Sequence, residues 1–411
     1  MADQTEPVEE TLPHRALRNA MVLQFAAGGA IWPFVTLVMR DRGLSIQEMS
    51  RILSISSALL MVFPMVWGML ADRHLPLNRL FTILNLGAGT ALMFFAFERT
   101  FWGVLVSFAA FHVLFNPTLT LINALCFHHV QNVHAEFGHL RSWGSLGWII
   151  PFLPISLWLT LDERTSFEFV VYLAIALCFL MAAFSLRLPH TEPGSRQSST
   201  GPCNRKPYGQ AIRSLLTDSN FVAILISLFL VAGSFSLLTF YSPALLEDLG
   251  VPRPWIGPIQ AIGVLFEIVL LRWQPYFLNR WTCASIILAG CLALVLRQFL
   301  FSTVDSFFIL ATSYLLAAVV IVCFHSTVAV LVNSLADLSI RSTAQSLTLM
   351  VNSGLGPMCA NWLVSHFAGQ SSNKLRMVFL LGTALAMAAT VPIALRVKQL
   401  NAASRTQRSS T

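Results

Sequence analysis

The pattern of the chain is one of long apolar stretches separated by short polar punctuation, repeated from end to end. About 20 mostly apolar residues cross the hydrocarbon of a bilayer as a helix. On that measure, spanning helices are expected near 17–39, 47–71, 77–97, 101–128, 137–160 and 166–187, and again near 219–246, 254–278, 281–301, 306–332, 341–366 and 375–396. The interior prolines Pro64, Pro117, Pro151 and Pro154 are expected to kink their helices, with neighbouring helices answering the freed backbone groups. The fold class is therefore an all-α polytopic membrane protein with twelve transmembrane helices in two six-helix bundles.

Residues 188–218 break the pattern with prolines, glycines, serines and basic residues, which is linker composition. The organisation read from the chain is a tail at 1–16, a first bundle at 17–187, a linker at 188–218, a second bundle at 219–396 and a tail at 397–411. Arginines and lysines such as Arg15, Arg18, Arg73, Arg79, Arg187, Arg205, Lys206, Arg280, Arg396 and Lys398 gather in the tails and in the loops on the same side. That asymmetry places the linker and both termini in the cytoplasm.

Composition narrows the function class. Only 11% of the 411 residues are charged and 55% are hydrophobic, with a mean hydropathy of +0.68, whereas about a quarter of an ordinary soluble domain is charged. No polar block remains for a separate soluble enzyme domain. The net charge of +7 follows from topology and implies no nucleic-acid partner. Seven scattered cysteines show no metal or redox spacing. His128, His129, His134 and His139 fit no HExxH-type arrangement. Neither a metal nor another cofactor is expected, and the start of the chain has no secretory-signal pattern.

Candidate chemistry lies inside the spans, where an ionised side chain at the bilayer centre costs at least about 2.5–3.5 kcal/mol. Glu267 falls near the middle of its span, as a proton carrier, as an acceptor for substrate hydroxyls, or as half of a structural ion pair. Arg297 lies near the end of the ninth span, where an arginine can reach the head groups. His325 and His112 are intramembrane imidazoles able to titrate near neutrality or to serve as packed hydrogen-bonding groups. Arg141 opens the fifth span as an anchor. Ser145 and Trp148, four and seven residues later, project from the same helical face.

Three stretches carry a family resemblance. Gly68-Met69-Leu70-Ala71-Asp72-Arg73, with Arg79 after a short turn, resembles the major facilitator signature between helices two and three. Phe115 to Asn123 and Phe137 to Trp148 resemble helices four and five of the nucleoside:proton symporters, and the latter stretch also resembles the lactose-permease group. The likeness continues through Leu23-Gln24-Phe25, Phe63-Pro64, Trp67-Gly68, Phe266-Glu267-Ile268, Leu296-Arg297 and Arg341-Ser342-Thr343-Ala344-Gln345. It implies the major facilitator fold and a secondary transporter working by alternating access, with proton-coupled uptake of a nucleoside or related hydroxylated solute. A sugar or aromatic-acid permease, an uncoupled facilitator and a non-transporting receptor are the alternatives.

The resemblance makes Arg141, Ser145, Trp148, Asn123, Glu267 and Gln24 the substrate set, since a guanidinium fork suits ribose or sugar hydroxyls. It makes Glu267, Arg297 and His325 the proton-coupling set, and Asp72, Arg73 and Arg341 a conformational latch. The expected partners are a small solute, protons and the bilayer of a bacterial inner membrane, with the chain a monomer. The chain departs from the pattern at Val322, where the related groups carry a helix-ten carboxylate, and in helix seven, which offers Ser234, Ser236, Thr239 and Tyr241 instead of amides; Asn123 departs from the lactose group's helix-four glutamate but matches the asparagine of the nucleoside group.

Overall fold

A computed structural model describes residues 12–73, 75–129, 133–161, 166–188, 208–335, 341–367 and 374–401. With no water in a bilayer core, a spanning backbone must satisfy its own hydrogen bonds, and among the described residues every long element is helical. We number the spans α1 (Arg15–Asp41), α2 (Ile46–Leu70), α3 (Leu77–Phe97), α4 (Phe101–Asn123), α5 (Leu140–Leu161) and α6 (Glu168–Ser185). The second six are α7 (Ser219–Asp248), α8 (Arg253–Arg280), α9 (Cys283–Thr303), α10 (Phe307–Val332), α11 (341–367) and α12 (Lys374–Leu395). Eleven of these are long and apolar enough to cross a membrane on length and composition. The exception, α11, opens on the polar run Arg341-Ser342-Thr343-Ala344-Gln345 yet stays helical throughout, and it completes the twelve.

Proline breaks the helices where its missing N–H leaves a carbonyl unanswered. In α1 the helix stops at Ile31 and resumes at Val35 around Pro33. In α2 it stops at Leu59 and resumes at Phe63 ahead of Pro64, the gap closed by tight bonds such as Leu60 N–H to the Ser57 carbonyl, 3.0 Å. In α5 it breaks at Pro151. Pro117 lies inside an unbroken helix and Pro154 in the first turn of the second α5 segment, so only Pro64 and Pro151 of the four interior prolines interrupt a helix. Two wide π-helical turns, Val320–Ser326 and Met350–Leu355, interrupt α10 and α11. Part of the stretch with linker composition is also ordered: Tyr208–Thr217 is a helix that buries Leu215.

The two sixes pack alike. α1 lies against α5 and α6, α3 against α4 and α6, and α2 against α4; α7 lies against α11 and α12, α9 against α10 and α12, and α8 against α10. Each contact in one half has its counterpart in the other, as parallel repeats about an axis along the membrane normal require. The halves then meet through α2 on α11 and α5 on α8, again an equivalent pair, with α1 touching α7. Within a half the backbones approach closely. A Cβ built on Gly147 of α5 would lie 2.5 Å from the Val22 carbonyl oxygen of α1, and one on Gly29 of α1 would meet the Trp148 backbone.

Between halves, polar contacts add to the apolar packing, and the ion pairs gather at the end where α1 finishes and α8 begins. Arg253 at the start of α8 pairs with Asp41 of α1 at 2.7 Å and with Glu247 of α7 at 2.6 Å. Arg40 joins Glu247 at 3.4 Å and Asp248. Thr36 donates to the Phe240 carbonyl, and Ser156 of α5 donates to the Pro254 carbonyl at 2.7 Å. Asp41 also accepts from the Phe167 N–H at 2.9 Å, tying the start of α6 into the cluster. Nearby, Arg42 lies over the Phe95 ring and donates to its carbonyl. Burial pushes the Arg42 guanidinium down to about 10, aided by Arg99, and it stays charged at neutral pH.

Two outcomes follow. Gly147→Val is expected to force α1 and α5 apart and cost about 1–3 kcal/mol, read as a lower unfolding midpoint of the detergent-purified protein. Arg253→Gln with Asp41→Asn is expected to free the clamped end. Spin labels at Gln47 and Trp255 should then report a longer and broader distance distribution than in the unmutated background.

Candidate functional site

Where the halves meet, they form a cavity of about 250 Å³. Helical periodicity decides what lines it. Arg141, Ser145, Trp148 and Phe152 form one stripe along α5 at spacings of four, three and four, and Gln260, Gly263, Val264 and Glu267 form another along α8. α7 contributes Phe235, Thr239 and Ser242, α10 contributes Tyr314 and the residues one and two turns beyond it, α1 contributes Phe25, and α9 contributes Arg297.

At the α5–α8 contact a serine hydroxyl stands between two opposite charges. Arg141 Nη1 donates to Ser145 Oγ at 3.4 Å, and Ser145 Oγ donates to Glu267 Oε1 at 3.4 Å. Both bonds are long for their type, and the connection crosses from one half of the molecule to the other. The Arg141 guanidinium lies over the Phe25 ring, 4.5 Å from its centroid, which answers its other face by a cation–π contact. Trp148 packs on Gly28 and lines the cavity. Glu267 is 6% exposed and Ser145 3%; the cation that acts on the carboxylate is Arg141.

Arg297 is placed differently from what its position near the end of a span suggests. It is 4% exposed and turned inward onto α10, its guanidinium 4.3 Å from the Tyr314 ring centroid and 5.5 Å from that of Phe301. No carboxylate among the described residues lies within ion-pair distance of it, and its Nε has no hydrogen-bond partner. It shares the cavity with Glu267 without pairing to it.

The remaining sequence candidates lie elsewhere. Gln24 is fully buried between α1, α3 and α4, donating to Thr118 Oγ1 at 2.6 Å and accepting from Asn85 Nδ2 at 3.1 Å. Asn123 donates to the Leu119 carbonyl of its own helix at 3.2 Å. His325 occupies the π-helical turn of α10, edge-on to Phe235 and Phe324, and His112 packs against Trp32 and Phe108. Ser234 and Tyr241 of α7 make packing bonds to the Gly382 carbonyl and to Asn361 Oδ1, whereas Thr239 faces the cavity. The side chains of Asp72, Arg73 and Arg341 lie outside the described residues, as do those of His128, His129, His134 and His139.

Gln260, Ser242 and Tyr314 line the cavity and went unnoticed in the sequence. Ser242 Oγ and Tyr314 OH share a 2.9 Å hydrogen bond, and the Gln260 Nε2 is buried without a partner. A signal existed for Gln260, which lies seven residues before Glu267 and so two turns along the same face. For Ser242 and Tyr314 the helical period picks no face, because α7 and α10 are apolar on nearly all sides.

Twelve helices in two equivalent sixes, around a largely apolar cavity at their interface that holds a few charged and hydroxyl side chains, define a secondary transporter of the major facilitator type. The family model described as "MFS_1 like family" matches residues 14–375, and the chain belongs to that family. It is 25% identical over 352 residues to the putative nucleoside transporter YegT of Escherichia coli, covering 82% of this chain and 80% of that one. It is 22% identical to the nucleoside permease NupG of the same species, covering 83% and 84%, and 24% identical to the maltose permease of Geobacillus stearothermophilus, covering 81% and 82%. The crystal structure of NupG superposes with a TM-score of 0.78 at 18% identity, over 94% of this chain and 100% of that one. The chain is thus a multi-pass membrane transporter of a small-molecule substrate, and its relatives are transporters and permeases, not enzymes.

The bridging hydroxyl gives a direct test of the site. In a double-mutant cycle on unfolding in detergent, Ser145→Ala and Glu267→Gln are expected to couple by about 0.5–3 kcal/mol, as residues in one network do. Additive effects would mean that Ser145 does not join the two charges.

Proposed function

We propose that the protein carries out proton-coupled uptake of nucleosides or a related hydroxylated small solute by alternating access. The observation that carries this reading is the Arg141–Ser145–Glu267 connection across the two halves inside the shared cavity. A carboxylate held by a guanidinium through a hydroxyl is a site where a proton, a solute hydroxyl and the internal cation compete. With Glu267 ionised, Arg141 is held toward α8 and the halves are tethered at α5–α8. With Glu267 protonated, the guanidinium fork is released to solute hydroxyls, with Ser145 beside it and Trp148 as an apolar platform for a ring.

Sidedness follows from the excess of basic residues in the tails and linker. Both termini are cytoplasmic, the Asp41–Arg253–Glu247 cluster closes the outer face, and the cavity opens inward. The halves that rock are 17–187 and 219–396, the chain works as a monomer, and its membrane is a bacterial inner membrane, in keeping with its likeness to transporters of Escherichia coli. Support for a nucleoside comes from the names of two of those relatives and from the ring platform beside the fork. A sugar is the second reading, favoured by the resemblance to a maltose permease and by the hydroxyl-bearing Thr239, Ser242 and Tyr314 around the cavity.

Purified protein in liposomes is expected to exchange labelled uridine in counterflow, and to accumulate it when the outside is made acidic. Glu267→Gln should retain counterflow while losing at least tenfold in pH-driven accumulation. Saturable exchange of maltose with none of uridine moves the cargo to the second reading. Undiminished pH-driven accumulation in Glu267→Gln removes Glu267 from coupling.

A further inference from the structure

The cavity holds one more positive charge than negative. Among its lining residues the charged side chains are Arg141, Arg297 and Glu267. Arg141 has its carboxylate, through Ser145. Arg297 does not, although at 4% exposure it is as far from water as Glu267. Burying a guanidinium with no anion is among the costliest placements a membrane protein can make. The partners that Arg297 has are aromatic: the ring and phenol of Tyr314 and, farther off, the Phe301 ring. They leave the Nε donor unanswered.

A second orphan donor lies on the same cavity. The Nε2 of Gln260 is buried with no hydrogen-bond partner. A Cβ on Gly263, three residues along α8, would meet the Tyr314 carbonyl oxygen at 2.6 Å, so Gln260 and Tyr314 belong to neighbouring parts of the wall. Ser242 Oγ hydrogen-bonds Tyr314 OH in this same region. A buried fork, a primary amide and two hydroxyls converge there, rich in N–H and O–H donors and with no carboxylate. The opposite arrangement holds at Glu267, two turns along α8 from Gln260. A packed structural arginine would have its donors satisfied internally, and a snorkelling one would reach the surface; Arg297 does neither.

We propose that the cargo bears a carboxylate that docks on Arg297, with Gln260 and the Ser242–Tyr314 pair as further donors, so that the transporter takes a hydroxylated organic acid. This rests on the reading of the cavity as the transport site and narrows its substrate to the acidic members of that class. A planar carboxylate matches the two parallel N–H groups of a guanidinium edge. With Glu267 ionised, the single excess positive charge is matched by one carboxylate. The hydroxyl-bearing part of the solute then lies toward Arg141, Ser145 and Trp148. Both ends of one solute are held by residues from different halves, which is what lets its binding bias their arrangement.

Matched neutral and acidic solutes test this on the full chain in lipid nanodiscs, with binding read by tryptophan fluorescence and thermal shift. The pairs are D-glucose with D-glucuronate and uridine with orotidine, with sodium acetate and sodium chloride as anion controls. At least one acid is expected to bind tenfold or more tightly than its neutral partner. Arg297→Gln should bring that ratio to within twofold. Ala317→Asp, which sets a carboxylate on the cavity one turn along α10 from Tyr314 with Arg297 intact, should do the same. Binding of neither acid, neutral solutes equal to their acids, or an acid preference that survives Arg297→Gln would each overturn the proposal. Acetate or chloride binding as tightly as the acids would reduce Arg297 to a simple anion site and overturn it as well. Counterflow of uridine with no acid preference would leave the transport reading standing while this one fails, and acid binding without any exchange would overturn both, because a solute that is bound and not moved is not cargo.

Discussion

A charge set among apolar helices persists only where something answers it, because neither lipid nor packed side chains can stand in for water. That constraint explains where the polar groups of this protein are found. At the ends of the helices, where water is near, arginines and carboxylates form the cluster of Arg40, Asp41, Glu247, Asp248 and Arg253. In the interior charges are few, and those lining the cavity are Arg141, Glu267 and Arg297. Glu267 and Arg141 answer each other through Ser145. Arg297 has an aromatic ring and a phenol, and its remaining donors face the cavity where a solute would come.

The same constraint divides the molecule into stiff halves and a breakable seam. Inside a half the helices approach until a single methyl at Gly147 would collide with the neighbouring backbone, and packing of that kind resists continuous deformation. Between halves, ion pairs near the surface and hydrogen bonds at the midplane supplement the apolar packing. Exposed ion pairs contribute about 0–1 kcal/mol each. A seam of such contacts can be exchanged for water, or for a solute, without disturbing either bundle. The pairing of α2 with α11 and of α5 with α8 repeats one contact on both sides of the molecule, which suits two rigid bodies rocking about the cavity between them.

How far the chain could be read in advance follows from the range of the interactions involved. The spans were legible because crossing a bilayer requires a run of apolar residues, and a run is a local property. The stripe Arg141–Ser145–Trp148 was legible for the same reason, since helical periodicity alone puts those residues on one face. The break at Pro33 was not anticipated, nor was the order of Tyr208–Thr217, a polar helix held by packing of Leu215. Arg297 shows the limit most clearly. Near the end of a span, an arginine can turn to the head groups or inward, and only the position of Tyr314 on α10 decides which.

By itself the sequence determined the class of protein, the number of crossings, the two-part organisation and one polar stripe, all of which depend on local composition and period. The tertiary structure decided which intramembrane polar residues share a space. It put Glu267 two hydrogen bonds from Arg141 across a gap of 126 positions in the chain, turned Gln24 into a packing bond, and gathered Gln260, Ser242, Tyr314 and Arg297 from four helices onto one wall. No local pattern encodes that last grouping, because it arises from how helices of the second half pack against one another, and the periodicity of any one of them says nothing of its neighbours.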